Sequence, residues 1–353
     1  MKIKNIELSN YKRFVAKQSF SFCDTDGKIN DLTLIVGNNG TGKSSLLQAI
    51  VALIAPLTRN RFDVEQIDWS GFEYRFLQSG RLPMYIQANI EFSECELEET
   101  VNYAKKLNEL GGKSGIPNKN KNVSVKFDYD KKEPVVGKVA GDYYQFSGYQ
   151  YAKQLTALEP DKTKLFEKVG NIYWYTEQRT SYNINDIFNK EVPQIDSIRS
   201  FLANAYSFHI AVTEGNRKMA KGEFDFYAKL SNLYSTVFTD REFIGSAPRF
   251  DMFEREPTPD FFLTDGTNEY ELSEMSAGER AIFPILMDFA RYNINNSIII
   301  IDEVELHLHK PLQQAFIRAL PKLGHNNQFI LTTHSDTVAV MFNEEENQMI
   351  RLN

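Results

Sequence analysis

Eight residues, Gly37-Asn38-Asn39-Gly40-Thr41-Gly42-Lys43-Ser44, constrain this chain more than any others. They satisfy G-x-x-x-x-G-K-[ST] in full, and their setting is the one the physics requires. The strand-forming run Leu32-Thr33-Leu34-Ile35-Val36 precedes them, and Ser45-Leu46-Leu47-Gln48-Ala49-Ile50-Val51, which reads as a helix, follows. Strand, glycine-rich turn and helix in that order form a phosphate-binding unit. The glycines let backbone N–H groups close round phosphate oxygens, and the helix N-terminus adds partial positive charge. Lys43 is placed to reach the β- and γ-phosphates and Ser44 to ligate Mg²⁺. A nucleoside triphosphate is the expected ligand, with Ser45 completing its binding set.

The chain has 353 residues, which allows two domains or one large domain with an inserted lobe. The longest wholly apolar runs, such as Ile298 to Ile301, are far too short to cross a bilayer. Met1 to Leu8 alternates polar and apolar residues like a strand and lacks a signal-peptide core. Cys23 and Cys95 are the only cysteines and have no metal-ligand spacing, which suits a reducing, cytoplasmic setting. With a formal charge of −7, any nucleic-acid contact must come from a local basic patch. One such patch runs from Lys105 to Lys138, nine lysines against four acidic residues. It has the charge to meet DNA or RNA phosphates, although a run of this kind is more often a solvated hairpin.

Met84 to Phe92 alternates like a strand, and the acidic stretch from Glu94 to Glu99 opens a helix through Leu110. Asn171 to Tyr175 reads as a buried strand. Residues 183–250 read mostly as helix, and 250–260, with Pro257 and Pro259, as a turn-rich boundary. No heptad array is visible.

Ser297-Ile298-Ile299-Ile300-Ile301-Asp302-Glu303 reads as a strand buried on both faces and ending in two carboxylates. Asp302, at its carboxyl end, is expected to hold Mg²⁺. Glu303 is expected to polarise the water that attacks the γ-phosphate. After a helix over Pro311–Leu323, the strand Gln328 to Thr333 leads to His334, which is placed to sense the γ-phosphate by hydrogen bonding.

Leu272-Ser273-Glu274-Met275-Ser276-Ala277-Gly278-Glu279-Arg280 decides the family. Ser276-Ala277-Gly278-Glu279 resembles the signature of ABC-type ATPases. The order of phosphate loop, helical insertion, signature, carboxylate strand and strand-end histidine resembles theirs across nearly the whole chain. Within that superfamily the SMC/RecF-like branch is the nearest likeness. Ile6-Glu7-Leu8-Ser9-Asn10-Tyr11-Lys12-Arg13-Phe14 is similar to that branch's first strand. Asp302-Glu303-Val304-Glu305-Leu306-His307-Leu308-His309 resembles the D-E-P-E-x-H-L-H run of small defence-associated and OLD-like ATPases.

The resemblance implies an α/β ABC-ATPase head: a mainly parallel P-loop core sheet, an antiparallel β subdomain and an inserted helical lobe. Lobe I would take 1–178 and 297–353, with the basic insertion at about 105–138, and lobe II 179–296. It implies an ATP hydrolase whose heads pair around two ATP molecules, Ser276 and Gly278 capping the partner copy's γ-phosphate. It also implies a glutamine coupling Mg²⁺ to the helical lobe, assigned to Gln178 with Gln87 and Gln145 as rivals. Either Lys12 or Arg13 would lie near the nucleotide. Val304 and Lys310 replace prolines common in the family and remove no reactive group. His307 and His309 are assigned to communication across the dimer rather than to a metal.

The expected role is an ATP-operated switch controlling a separate effector, a nuclease or toxin, in anti-phage defence. The chain ends nineteen residues after His334, which points to an effector on another polypeptide. The alternative is a DNA-repair or chromosome-handling clamp without an effector. A transporter motor fits the signature and the H-L-H run poorly.

Overall fold

A computed structural model describes residues 1–60, 62–73, 84–128, 133–158, 164–179, 195–247, 259–342 and 348–352. In chain order its first half contains β1 (Lys2–Ser9), β2 (Gln18–Ser21), β3 (Leu32–Gly37), α1 (Lys43–Thr58), β4 (Tyr85–Glu91), α2 (Glu94–Glu109), β5 (Asn122–Asp128), β6 (Glu133–Val136), α3 (Ala140–Tyr144), α4 (Gly148–Leu155) and β7 (Ile172–Tyr175). Its second half contains α5 (Ile195–Thr213), α6 (Phe226–Val237), β8 (Glu242–Ala247), β9 (Asp260–Thr264), β10 (Glu269–Glu271), α7 (Ala277–Tyr292), β11 (Ile298–Ile301), α8 (Lys310–Ala319), β12 (Gln328–Thr333), α9 (Asp336–Ala339) and β13 (Met349–Leu352).

The chain divides into two compact units, the first made of Met1–Glu177, Ile294–Glu305 and Gly324–Asn353. Its centre is a parallel sheet in the order β13-β3-β12-β11-β7. All four residues of β11 and all six of β12 are buried, as continuous apolar strands in a covered parallel sheet must be. Helix α1 is buried on nearly every side, so its run of Leu, Ile, Val and Ala needs no polar face. An antiparallel sheet, β2-β1-β4-β5-β6, completes the unit. In β4 the alternation is literal, Ile86, Ala88 and Ile90 being buried between half-exposed neighbours. Ser93 caps α2 by accepting the Glu96 N–H. The buried side chain of Gln328 joins β12 to β1, its amide accepting from the Ile3 N–H at 2.7 Å and donating to the Ile3 carbonyl at 2.8 Å.

The second unit is Gln178–Asn293 with Leu306–Leu323. It contains α5 to α8 and the antiparallel sheet β10-β9-β8. The sequence pattern over 183–250 predicts mostly helix. The structure places strand β8 at Glu242–Ala247, where Phe243 and Gly245 alternate inward and the backbone pairs with β9. Residues 306–323, grouped from sequence with the first lobe, pack in this unit. The helix expected over Pro311–Leu323 ends at Ala319 and tightens to a single 3₁₀ turn, Leu320–Lys322, because Pro321 has no N–H to continue the ladder. The turn-rich boundary at 250–260 lies outside the described residues through position 258, as do 183–194 of the helical stretch and 129–132 of the basic island. Every described lysine of that island, from Lys105 to Lys126 and Lys138, is exposed. Among the described residues no helix is long and apolar enough to cross a membrane.

Candidate functional site

Because every neighbour in the central sheet is parallel, the carboxyl ends of β3, β12 and β11 lie side by side. The phosphate loop follows β3, His334 follows β12, and Asp302 and Glu303 follow β11. Ligands of open α/β sheets bind along this edge. Segments from opposite halves of the chain thus converge on one cleft of about 370 Å³.

The loop itself is shaped by glycine. Gly40 and Gly42 sit at φ +77° and +105°, and a Cβ on Gly37 would stand 2.5 Å from the Leu352 carbonyl oxygen on β13. Thr41 tightens the turn by donating its hydroxyl to the Asn38 carbonyl at 2.9 Å. The Lys43 ammonium donates to the carbonyls of Gly37 (2.7 Å) and Asn38 (3.1 Å). Burial lowers the Lys43 pKa, against the opposing pull of Asp302, Glu303 and Glu305. Asn39, Ser44 and Ser45 line the same cleft.

Lys43 Nζ lies 3.4 Å from His334 Nδ1, and His334 Nε2 lies 3.9 Å from Glu303 Oε1. The two ring nitrogens of His334 thus face Lys43 on one side and Glu303 on the other. Lysine, histidine and glutamate therefore stand in line across the cleft. Glu303 adopts a left-handed backbone, φ +47°, a conformation that costs a non-glycine residue of order 1–3 kcal/mol and gathers at functional sites. Burial raises its pKa, and Asp302, Glu305 and Glu177 add to the rise while His334 opposes it. Asp302 is buried, and its backbone N–H bonds to the Tyr175 carbonyl at 2.9 Å.

Two threonines of β12, which sequence reasoning passed over, organise these groups. Thr332 donates its hydroxyl to the Asp302 carboxylate and accepts the Glu303 N–H. Thr333 donates to Glu305 Oε2 at 2.7 Å, and Glu305 Oε1 accepts the His334 N–H at 2.6 Å.

At the other end of the cleft, both residues left open from sequence, Lys12 and Arg13, contribute to the lining. Lys12 donates to the Gln48 side chain and to the Gly71 carbonyl, and burial brings its pKa down to about 8. Gln48 donates in turn to the Ser70 carbonyl at 3.0 Å, fastening that segment against α1. Gln48, one turn beyond Ser44, is the glutamine that lines the cleft. Gln178 is exposed in the turn after β7. The amide of Gln145 is taken up by the Asn120 backbone, and Gln87 lies in the antiparallel sheet beside the Tyr85 hydroxyl.

In the second unit, Ser276 caps α7 in a reciprocal box: its hydroxyl accepts the Glu279 N–H and Glu279 accepts the Ser276 N–H. Ser276 and Ala277 are exposed and Gly278 is buried, where a Cβ would stand 2.8 Å from the Leu312 side chain of α8. Glu279 also receives the hydroxyls of Tyr234 and Tyr270 and pairs with Arg241 at 2.5 Å.

The sequence profile of the AAA ATPase domain family matches residues 1–339. The chain belongs to that family. It is an AAA ATPase, and its reaction is the hydrolysis of ATP. The Retron Vc95 probable ATPase of Vibrio cholerae serotype O1 biovar El Tor is 24% identical over 403 aligned positions, covering 99% of this chain and 73% of that protein. The Retron Ec83 probable ATPase of Escherichia coli is 27% identical over 399, covering 96% and 69%. Among solved structures, an Smc head bound to the C-winged helix domain of ScpA matches with a TM-score of 0.51 at 15% identity, over 96% of this ATPase and 91% of that chain. The α/β head with parallel and antiparallel sheets expected from the motifs is the fold that the ATPase adopts.

Proposed function

We propose that this ATPase is a dimerising switch in which ATP binding and hydrolysis control a separate effector protein, a nuclease or toxin, in anti-phage defence. The line Lys43–His334–Glu303 across the cleft carries the catalytic part of the reading. Gly37 to Ser45 cradle the triphosphate, and the loop fits it: the left-handed glycines leave space that any side chain would fill. Glu303 is the general base, its raised pKa matching that task, and His334 senses the γ-phosphate by hydrogen bonding. Ser44 and Asp302 would hold Mg²⁺, which when bound supplies Lewis-acid stabilisation of the phosphate charge. Among the described residues no cluster of three acidic, His or Cys side chains forms a metal cage, so the nucleotide's own oxygens would complete the coordination. Gln178 keeps its assignment as the residue coupling that ion to the second unit. It follows β7, whose Tyr175 bonds to Asp302.

Ser276 and Gly278 would serve the nucleotide of a second copy, because Ser276 is exposed at the N-terminus of α7, the end of a helix that attracts anions. The effector reading draws on the two retron ATPases as relatives. The exposed lysines between 105 and 138 favour a second reading, a clamp that touches DNA or RNA directly.

The test is purification of Glu303→Gln with ATP, followed by native mass measurement. An ATP-dependent dimer carrying a co-purified effector supports the switch. A lone dimer whose wild-type turnover rises with DNA supports the clamp, and a Glu303→Gln protein with wild-type hydrolysis removes the general-base assignment.

A further inference from the structure

We propose that Glu305 is the positioning residue for His334, holding its main chain so that the ring stays between Lys43 and Glu303. This rests on the reading that His334 and Glu303 serve hydrolysis.

The sheet ladder of β12 stops at Thr333, paired with Val36 of β3, and the chain then turns into α9, whose N-cap is Ser335. His334 lies between these two regular elements, so neither supplies a partner for its N–H. Glu305 does, reaching over from the turn after β11. Its second oxygen takes the Thr333 hydroxyl, and the Thr333 oxygen accepts the Ser335 N–H at 3.0 Å. One carboxylate thus fixes the main chain on both sides of the histidine.

The His334 ring is half-open to solvent, 34% exposed, and it faces Lys43 and Glu303, both assigned to the reaction. A ring held only by the groups it works with would move whenever they engage a nucleotide. Glu305 anchors it from outside that set. The carboxylate-rich turn therefore divides its labour: Asp302 for the metal, Glu303 for water, Glu305 for the histidine.

Steady-state hydrolysis and ATP affinity of the full chain distinguish this from a merely structural role. We expect Glu305→Ala to lower kcat by roughly 10- to 100-fold, as a misplaced catalytic group does. The Kd for ATP should stay within about threefold, because binding resides in the phosphate loop. Glu305→Gln should recover most of the rate, since its amide oxygen still accepts the His334 N–H. The Glu305→Ala/His334→Ala pair should be no slower than His334→Ala alone.

Wild-type kcat in Glu305→Ala overturns the proposal. So does a loss of ATP affinity together with rate, without rescue by Gln, or losses that add in the double variant. If His334→Ala and Glu303→Gln themselves turn over ATP like wild type, the site reading fails and this proposal fails with it. If they are slow and Glu305→Ala is not, only the proposal fails.

Discussion

The hydroxyl oxygen of Thr332 stands 2.8 Å from the backbone nitrogen of Glu303 and accepts its N–H. The same hydroxyl donates to the Asp302 carboxylate, so one side chain of β12 sets both acidic residues that end β11. Thr332→Val keeps the shape and removes both bonds. An unsatisfied buried donor or acceptor costs about 1–3 kcal/mol, and the left-handed turn at Glu303 loses its brace. Urea unfolding should show a loss of that order, with a fall in kcat, while Thr332→Ser stays near wild type in both.

Glu303 gives a pH prediction with a definite sign. Its pKa is raised, first by burial and then by Asp302, so hydrolysis should fail on acidification at a midpoint above the ordinary value of 4.5. For stability the sign is opposite. The protonated form is favoured in the fold, so the contribution of Glu303 is fully present below about 4.5 and is lost as pH rises through the folded-state value. Glu303→Gln should therefore unfold at a higher temperature than wild type at neutral pH while losing hydrolysis, with no gain near pH 4. Thermal melts at the two pH values check this.

Glu279 behaves in the opposite sense. Burial alone would raise its pKa, but hydrogen bonds from Tyr234, Tyr270, Arg241 and Ser276 outweigh it and bring it to about 2. The stability it contributes is present above 4.5 and is lost as pH falls toward 2. Glu279→Ala takes the partner from the buried Tyr234 hydroxyl, the half-buried Tyr270 hydroxyl and an arginine, and should cost roughly 3 kcal/mol or more. It should also loosen the Ser276 cap. Acid unfolding of wild type and variant should differ most at neutral pH and converge toward pH 2.

Gln328→Leu tests how β1 is fastened to the parallel sheet. The change leaves both the N–H and the carbonyl of Ile3 without their partner, for a loss of about 2–3 kcal/mol. ATP affinity should be unchanged, because Gln328 lies at the start of β12, the end opposite the cleft. A drop in affinity beyond the fraction unfolded would contradict this.

The amino-acid sequence by itself determined what is local. A phosphate loop is one contiguous strand, turn and helix, so Gly37 to Ser44 carry both its pattern and its shape. The buried strands β11 and β12 are legible for the same reason, each being a short apolar run that ends in chemistry. Only the tertiary structure decided what neighbours what. Lys43 and His334 lie 291 positions apart and meet because β12 inserts between β3 and β11. Thr332, Thr333 and Gln48 look ordinary in the sequence, and Glu305 shows there only as part of an acidic run, since a hydroxyl, carboxylate or amide acquires its role from the group it faces. That group is chosen by strand order, which depends on packing of the whole sheet rather than on any local stretch of residues. Glu279 was visible as part of a signature, but its partners come from α6, β10 and the residue before β8, and only packing brings these to one buried carboxylate.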